Sequence, residues 1–239
     1  MPSTQSSAAA RLAYRAGVRE ALGAPVIVLG VGFIGYGSLA QSHGFSLLDT
    51  VLSTLSIWAL PGQLILIEME AAGASFLAIV LAVALSASRF LPMTVTLMPR
   101  MRQPGIPSWR YYVAGHLLAM MSWAVAIRRF PEQQPEERMP FFLGFTSTMW
   151  TSAMLCTWFG YSLAGTLPGQ LRLAFVFATP LYFILILTSD LRDRMTVLAL
   201  LCGAIAAPAL HLVWPSWGLV GGGLVGGTLG YLIGRRFSV

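Results

Sequence analysis

Long apolar runs separated by short polar loops constrain this 239-residue chain more than any other feature. A membrane-spanning helix needs about 20 consecutive apolar residues, and eight segments approach or reach that length. They lie at 23–41, 47–67, 74–98, 111–127, 140–161, 171–189, 195–213 and 217–234. The sequence therefore predicts an all-α integral membrane protein, built as a polytopic helical bundle whose main surroundings are the lipid bilayer.

The charge content supports a membrane protein and argues against nucleic-acid binding. Only 10% of the residues are charged, whereas soluble proteins carry roughly 25%. All fifteen basic residues are arginines, and most lie at the ends of apolar runs instead of forming one patch. Cys156 and Cys202 lie inside apolar segments without metal-ligand spacing. We expect no nucleic-acid partner, no metal and no cofactor.

The distribution of arginines predicts the orientation, because basic residues concentrate on the cytoplasmic side. If all eight segments cross and the N-terminus is cytoplasmic, ten arginines lie inside and four outside, with Arg89 inside a span. Both termini are then cytoplasmic. The four outside arginines are Arg100, Arg102, Arg110 and Arg172. We expect residues 1–20 to form a cytoplasmic tail and lead-in, and residues 21–239 to form one transmembrane transporter domain.

The second apolar segment carries an interruption at Pro61, Gly62 and Gln63. Proline and glycine disfavour a continuous helix, and broken helices at membrane depth occur where the freed backbone is buried or lines a cavity. We predict a break at Pro61-Gly62 that binds substrate, with Gln63 adding a polar contact. The alternative is a proline kink whose glutamine bonds a neighbouring helix. Whether residues 47–67 cross or re-enter the membrane is left open by the sequence.

Arg89 lies deep in the third apolar segment. An arginine at the centre of a lone helix costs about 2.5–3.5 kcal/mol on insertion scales, so such a group normally faces the protein interior or a wet cavity. Its guanidinium can clamp a carboxylate through two hydrogen bonds. We predict that Arg89 binds substrate, against the alternatives of a buried ion pair or a side chain that reaches the membrane surface.

Three further residues are predicted to line a pocket, namely His116, Trp123 and Trp150, because they lie within apolar segments. The last segment carries glycines at four-residue spacing, from Gly222 to Gly234, which permits close helix approach within the bundle or against a partner. No pattern typical of a catalytic site occurs, so we do not expect an enzyme.

The order of these motifs resembles the AzlC family, the large subunits of branched-chain amino-acid exporters. The resemblance rests on "SHGFSLLDTVLSTLSIWALPGQLI", "SASRFLPMTVTLMP" and "FFLGFTSTMWTSAMLCTWFGYSLAG". It implies that Gln63 and Arg89 are functional and that a small AzlD-like membrane subunit is a partner. The chain departs from the family where Asn and His often flank the arginine, since it carries Ala87 and Phe90 there. It also has "MMSWAVA" where an acidic pair often occurs.

These observations predict a secondary transporter of the bacterial inner membrane that exports neutral, branched-chain amino acids together with the small subunit. Two alternatives stay open: a non-transporting membrane scaffold subunit, and an exporter of another small zwitterion or carboxylate.

Overall fold

The computed structural model describes residues 3–166, 168–171, 173–175, 177, 181, 194–213 and 218–237. All regular structure within these residues is helical, which confirms the predicted all-α class. The chain divides into two compact units, Met1–Thr179 and Pro180–Val239. The predicted span at 171–189 lies almost entirely outside the described residues.

Nine α-helices are described in the first unit, and they follow one another with short connections. In chain order they are α1 Ser3–Ala21, α2 Ala24–Ser42, α3 Leu47–Ile57, α4 Leu60–Ala71, α5 Phe76–Ala87, α6 Phe90–Met101, α7 Ser108–His116, α8 Met120–Arg129 and α9 Pro135–Ser162. Among the described helices, α2 alone is long and apolar enough to cross a membrane, and α5 and α6 pass the same test as a pair bent by 46°.

The 28-residue helix α9 is the centre of the first unit, and α1 and α2 both pack along it. Glycines allow the backbones to touch. A Cβ atom on Gly160 would lie 2.1 Å from the Ile34 carbonyl oxygen, and one on Gly37 would lie 2.1 Å from that of Thr157. Residues 1–20, predicted as a tail and lead-in, thus contain most of a helix packed against α9. The predicted division into that lead-in and one domain at 21–239 stays a prediction.

Three predicted spans are each split into two shorter helices. In the segment at 47–67, the break lies at Trp58 and Ala59, not at Pro61-Gly62 as predicted. Pro61 is in the first turn of α4, where its missing N–H would have had no helical partner in any case. The proline therefore marks where the second helix begins, and the break precedes it.

The segment at 74–98 is bent between α5 and α6, at Ser88 and Arg89. Because the bend is only 46°, the two helices continue in one general direction over about 39 Å, at 1.5 Å per residue. Phe76 and Met101 therefore lie at opposite ends of the bundle.

The pair α7–α8 enters and leaves the bundle at the same end. Just before α7, the Arg100 carbonyl accepts a hydrogen bond of 3.1 Å from Nη1 of Arg138, and the Gln103 amide donates to the Pro135 carbonyl. Just after α8, Arg129 leads within six residues to Pro135. Both ends of the pair therefore lie beside the N-terminus of α9, so the predicted crossing at 111–127 is wrong.

The end of the bundle at the N-terminus of α9 is its basic end. Arg11, Arg15 and Arg110 line one groove of ≈ 460 Å³ there, with Glu136. The prediction that Arg100, Arg102 and Arg110 face away from the other arginines is therefore wrong. The error arose because two half-length helices that fold back have the same hydropathy as one crossing helix.

The pair α3–α4 re-enters from the opposite end. Before α3, the Phe45 carbonyl accepts a hydrogen bond of 2.8 Å from the hydroxyl of Tyr161, in the last turn of α9. After α4, a four-residue connection leads to Phe76, which lies at the end opposite Met101. The first unit thus holds two re-entrant helical hairpins, α3–α4 and α7–α8, that enter from opposite ends.

In the second unit, α10 Arg194–Val213 packs against α11 Gly218–Phe237. The predicted glycine stripe forms this contact. A Cβ atom on Gly222, Gly226 or Gly230 would lie 2.3–2.5 Å from a Cα atom of α10. These three glycines therefore pack against α10 of the same chain.

Candidate functional site

The tips of the two hairpins meet and exchange hydrogen bonds. Nε1 of Trp58, at the first tip, donates to the Leu117 carbonyl at 3.2 Å. Nε2 of His116, at the second tip, lies 3.1 Å from the Leu55 carbonyl. The carbonyls at a helix C-terminus have no partner within their own helix, so each hairpin supplies a side chain to the backbone of the other. The two breaks therefore form one junction.

Trp58 is held in an unusual conformation at this junction. Its backbone is left-handed, with φ 48° and ψ 32°, and it is the one non-glycine residue with positive φ among those the structure describes. Such a conformation costs about 1–3 kcal/mol and persists where the surroundings enforce it. The indole is 5% exposed and stacks on the ring of Phe33 at 6.0 Å between centroids. Packing and the hydrogen bond to Leu117 together fix the break.

Gln63 lies in the first turn of α4, directly after the break, and is completely buried. Its amide nitrogen donates to the hydroxyl oxygens of Ser53 at 3.3 Å and Thr54 at 2.9 Å, both on α3. A buried polar side chain is stabilised only when its groups are paired. The amide oxygen, however, has no hydrogen-bond partner among the described residues.

Hydroxyl groups from α2 and α9 complete this buried polar cluster. The hydroxyl of Tyr36 lies 2.6 Å from that of Ser53, and Oγ1 of Thr157 lies 3.1 Å from Oγ1 of Thr54. The cluster therefore links four helices through uncharged groups, and its amide oxygen, Gln63 Oε1, has no hydrogen-bond partner in the part of the chain that the structure describes. We name these five side chains the Gln63 cluster: Tyr36, Ser53, Thr54, Gln63 and Thr157.

An open groove of ≈ 810 Å³ runs beside the first hairpin, between α3, α4 and α5. Its lining includes Ile57 and Val83, which are also the nearest side chains to the position a Cβ atom on Gly62 would take, at 3.2 and 3.6 Å. The absence of a side chain at Gly62 therefore lets the start of α4 pack closely against Ile57 and Val83. In the part of the chain that the structure describes, none of the predicted residues Pro61, Gly62 and Gln63 lines the groove itself.

Arg89 lies at the bend between α5 and α6. Its guanidinium is 5.3 Å from the centroid of the Phe90 ring, and its Nε is buried without a hydrogen-bond partner among the described residues. No salt bridge to Arg89 occurs in that part of the chain. The ion-pair alternative thus finds no support there. None of the described hydrogen bonds joins Arg89 to Gln63, so the two predicted residues occupy separate helix breaks.

The three residues predicted to line a pocket, His116, Trp123 and Trp150, do not lie at one site. The rings of His116 and Trp150 meet edge to face at 6.5 Å, and Nε1 of Trp150 is buried without a partner among the described residues. Trp123 instead donates to Oγ1 of Thr96 on α6 at 3.0 Å. His116 and Trp150 therefore belong to the junction, whereas Trp123 packs elsewhere.

The sequence over residues 25–167 matches the family model described as AzlC protein. That is more than half of the chain, and it includes α2, both hairpins and α9. The chain belongs to the AzlC family. No curated protein and no solved structure matches it. AzlC membership makes this a transport-associated membrane protein.

Sequence reasoning missed four members of the Gln63 cluster in this AzlC protein: Tyr36, Ser53, Thr54 and Thr157. A signal for two of them was available. Thr50, Ser53 and Thr54 follow an i, i+3, i+4 spacing within an otherwise apolar run, so they share one face of α3. Tyr36 and Thr157 carry no comparable local signal, because their role depends on neighbours far away in sequence.

Proposed function

We propose that this AzlC protein is a secondary transporter that exports a neutral, branched-chain amino acid across the bacterial inner membrane. The observation that carries the proposal is Gln63, a completely buried side chain beside a helix break whose amide oxygen has no partner among the described residues. In transporters, discontinuous helices place polar groups at the membrane midplane, where substrate binds. Uncharged hydroxyl and amide groups suit a substrate without net charge.

Arg89 supplies the complementary group in this proposal. Its guanidinium is positioned at a second helix bend, and it has no carboxylate partner among the described residues. A substrate carboxylate would provide that partner with charge-assisted hydrogen bonds.

The arrangement of arginines supports a cytoplasmic basic end. Arg11, Arg15 and Arg110 lie together there, and Arg129 pairs with Glu20 at 3.0 Å. This hydrogen bond to Glu20 raises the pKa of Arg129. Basic residues favour the cytoplasmic side, so the N-terminus would be cytoplasmic. A cytoplasmic C-terminus and a small AzlD-like subunit are further parts of the proposal.

The scaffold alternative has lost its supporting feature. The glycine stripe that would have bound a partner packs against α10 at Gly222, Gly226 and Gly230. Export of another small zwitterion or carboxylate remains the second candidate, because a guanidinium without a carboxylate partner among the described residues, as at Arg89, can bind any carboxylate of suitable size.

An efflux assay tests the proposal. Cells are loaded with labelled leucine, isoleucine, valine and methionine through dipeptides, and export is compared with this chain, the small subunit, both or neither. We expect faster loss of one branched-chain amino acid when both are present. Gln63→Ala and Arg89→Ala should each lower the rate of this export by about tenfold or more at unchanged membrane level. Unchanged efflux of all four amino acids, with both proteins confirmed in the membrane, would contradict the proposal.

Matched controls separate site effects from general damage. Gln41 and Arg102 are exposed residues of the same types, so Gln41→Ala and Arg102→Ala should leave export near the wild-type rate. If these controls lower the export rate as much as the site variants do, the loss cannot be assigned to substrate contacts.

A further inference from the structure

Two hydroxyl protons of the Gln63 cluster, those of Ser53 and Thr54, point toward a backbone carbonyl. The hydroxyl of Ser53 donates to the Thr50 carbonyl at 2.7 Å, and that of Thr54 donates to the same carbonyl at 3.3 Å. A hydroxyl has one proton and two lone pairs. Both oxygens therefore present lone pairs, not protons, toward Gln63.

The Gln63 side chain meets these lone pairs with its amide nitrogen. Its NH2 group carries two protons, and these meet the two hydroxyl oxygens at 3.3 and 2.9 Å. In this arrangement the amide oxygen points away from both hydroxyl groups and has no partner among the described residues.

The hydroxyl groups of Tyr36 and Thr157 contact the hydroxyl oxygens of Ser53 and Thr54 from the other side. With the Ser53 proton committed to Thr50, the 2.6 Å contact requires Tyr36 to donate to Ser53. Oγ1 of Thr157 lies 3.1 Å from Oγ1 of Thr54, and either hydroxyl can donate across this contact. The Ser53 oxygen thus accepts from Tyr36 and from Gln63, which uses both of its lone pairs. The Gln63 oxygen is the amide acceptor of the cluster, and no described residue donates to it.

We infer that Gln63 Oε1 is the subsite for the ammonium group of the transported ligand. Tyr36, Ser53, Thr54 and Thr157 are positioning residues that keep this oxygen turned toward the ligand. A buried acceptor selects N–H donors and rejects a carboxylate, because two facing acceptors leave both groups unpaired. The inference rests on the proposed function for the identity of the ligand.

The test compares leucine with 4-methylpentanoate, which has the same carbon skeleton and carboxylate but lacks the ammonium group. Both compete with labelled leucine for uptake into inside-out vesicles containing the full chain and the small subunit. The measured quantity is the ratio of their inhibitory concentrations. In the wild type, we expect 4-methylpentanoate to be at least about tenfold weaker, the size expected for a buried hydrogen bond. In Gln63→Met, which keeps the side-chain length, the ratio should fall toward one.

A second series separates positioning from folding. Thr157→Val removes the hydroxyl that closes the cluster, and Thr157→Ser restores it. Thr146 is the matched control, since it is equally buried on α9 but bonds only to carbonyls of its own helix. We expect the ratio to fall in Thr157→Val, to recover in Thr157→Ser, and to stay at the wild-type value in Thr146→Val. A wild-type ratio in both Gln63→Met and Thr157→Val would overturn the inference.

A binding measurement distinguishes failure of the inference from failure of the proposed function. The melting temperature of the purified full chain is measured in the presence of leucine and of other primary ammonium zwitterions such as β-alanine and γ-aminobutyrate. Trimethylglycine, which has no N–H donor, is the negative control. If vesicles transport no branched-chain amino acid, but a primary ammonium compound raises the melting temperature of the wild type and not of Gln63→Met, the proposed function fails and the inference stands. If no such compound raises it, or if Gln63→Met keeps the whole shift, the inference is wrong.

Discussion

The indole Nε1 of Trp58 lies 3.2 Å from the carbonyl oxygen of Leu117, so the tip of one re-entrant hairpin is hydrogen-bonded to the tip of the other. These residues are 59 positions apart in sequence. The bond has two consequences: it pairs a backbone carbonyl that has no partner in its own helix, and it holds Trp58 in a left-handed conformation. The stability of both breaks is therefore coupled.

Trp58→Phe should destabilise the protein, because phenylalanine keeps an aromatic ring beside Phe33 but leaves the buried Leu117 carbonyl without a donor. Such a loss costs about 1–3 kcal/mol, measured as a lower midpoint of thermal unfolding in detergent. Trp123→Phe is the control. Its donor serves the hydroxyl of Thr96, which keeps a hydrogen bond of 2.9 Å to the Pro92 carbonyl when the indole is removed, so its effect should be smaller. Equal effects of the two variants would argue against the coupling.

Cysteine accessibility should show that α7–α8 folds back. In a background with Cys156 and Cys202 replaced by serine, single cysteines at Arg110 and Glu132 should react with a membrane-impermeant reagent from the same side. A cysteine at Leu48 should react from the other side, because α3 begins at the opposite end of the bundle. If positions 110 and 132 are labelled from different sides, the segment at 111–127 crosses the membrane and the fold-back of α7–α8 is wrong.

Gly226→Ala should destabilise the second unit, whereas Gly227→Ala should not. A Cβ atom on Gly226 would lie 2.5 Å from the Cα atom of Gly203, whereas one on Gly227 has nothing within 4 Å among the described residues. Overpacking costs about 1–3 kcal/mol, while glycine-to-alanine replacement at an open helical position stabilises by up to about 1 kcal/mol. Unfolding measured side by side for the two variants provides the comparison, and a larger loss in Gly227→Ala would contradict the packing.

Arg89→Lys should impair transport although it conserves the charge. Lysine cannot form the two parallel hydrogen bonds that a guanidinium makes with a carboxylate, so we expect a fall in leucine export of about tenfold or more, as for the loss of one charge-assisted bond. Arg102→Lys, at an exposed position, should have no effect. Export at the wild-type rate in Arg89→Lys would show that only the charge at this position matters.

The sequence by itself determined the class of the protein and two of its polar positions. Apolar runs and a 10% charge content predicted an all-helical membrane protein, and motif order indicated the AzlC family, which the family match confirms. Gln63 and Arg89 were recognised because a polar group within an apolar run is costly unless it is paired or functional. The structure places both at helix breaks, but their roles in transport stay predictions.

Only the tertiary structure decided where the helices break and which segments turn back. Hydropathy and periodicity report on each residue and its near neighbours, and an apolar run of 20 residues looks the same whether it is straight or folded. A break is stable only if the freed backbone groups find partners. Here those partners are Trp58 for Leu117 and His116 for Leu55, which lie 59 and 61 residues apart. Because these bonds join distant segments, the opposed hairpins and the location of the arginines at 100–110 followed from the fold.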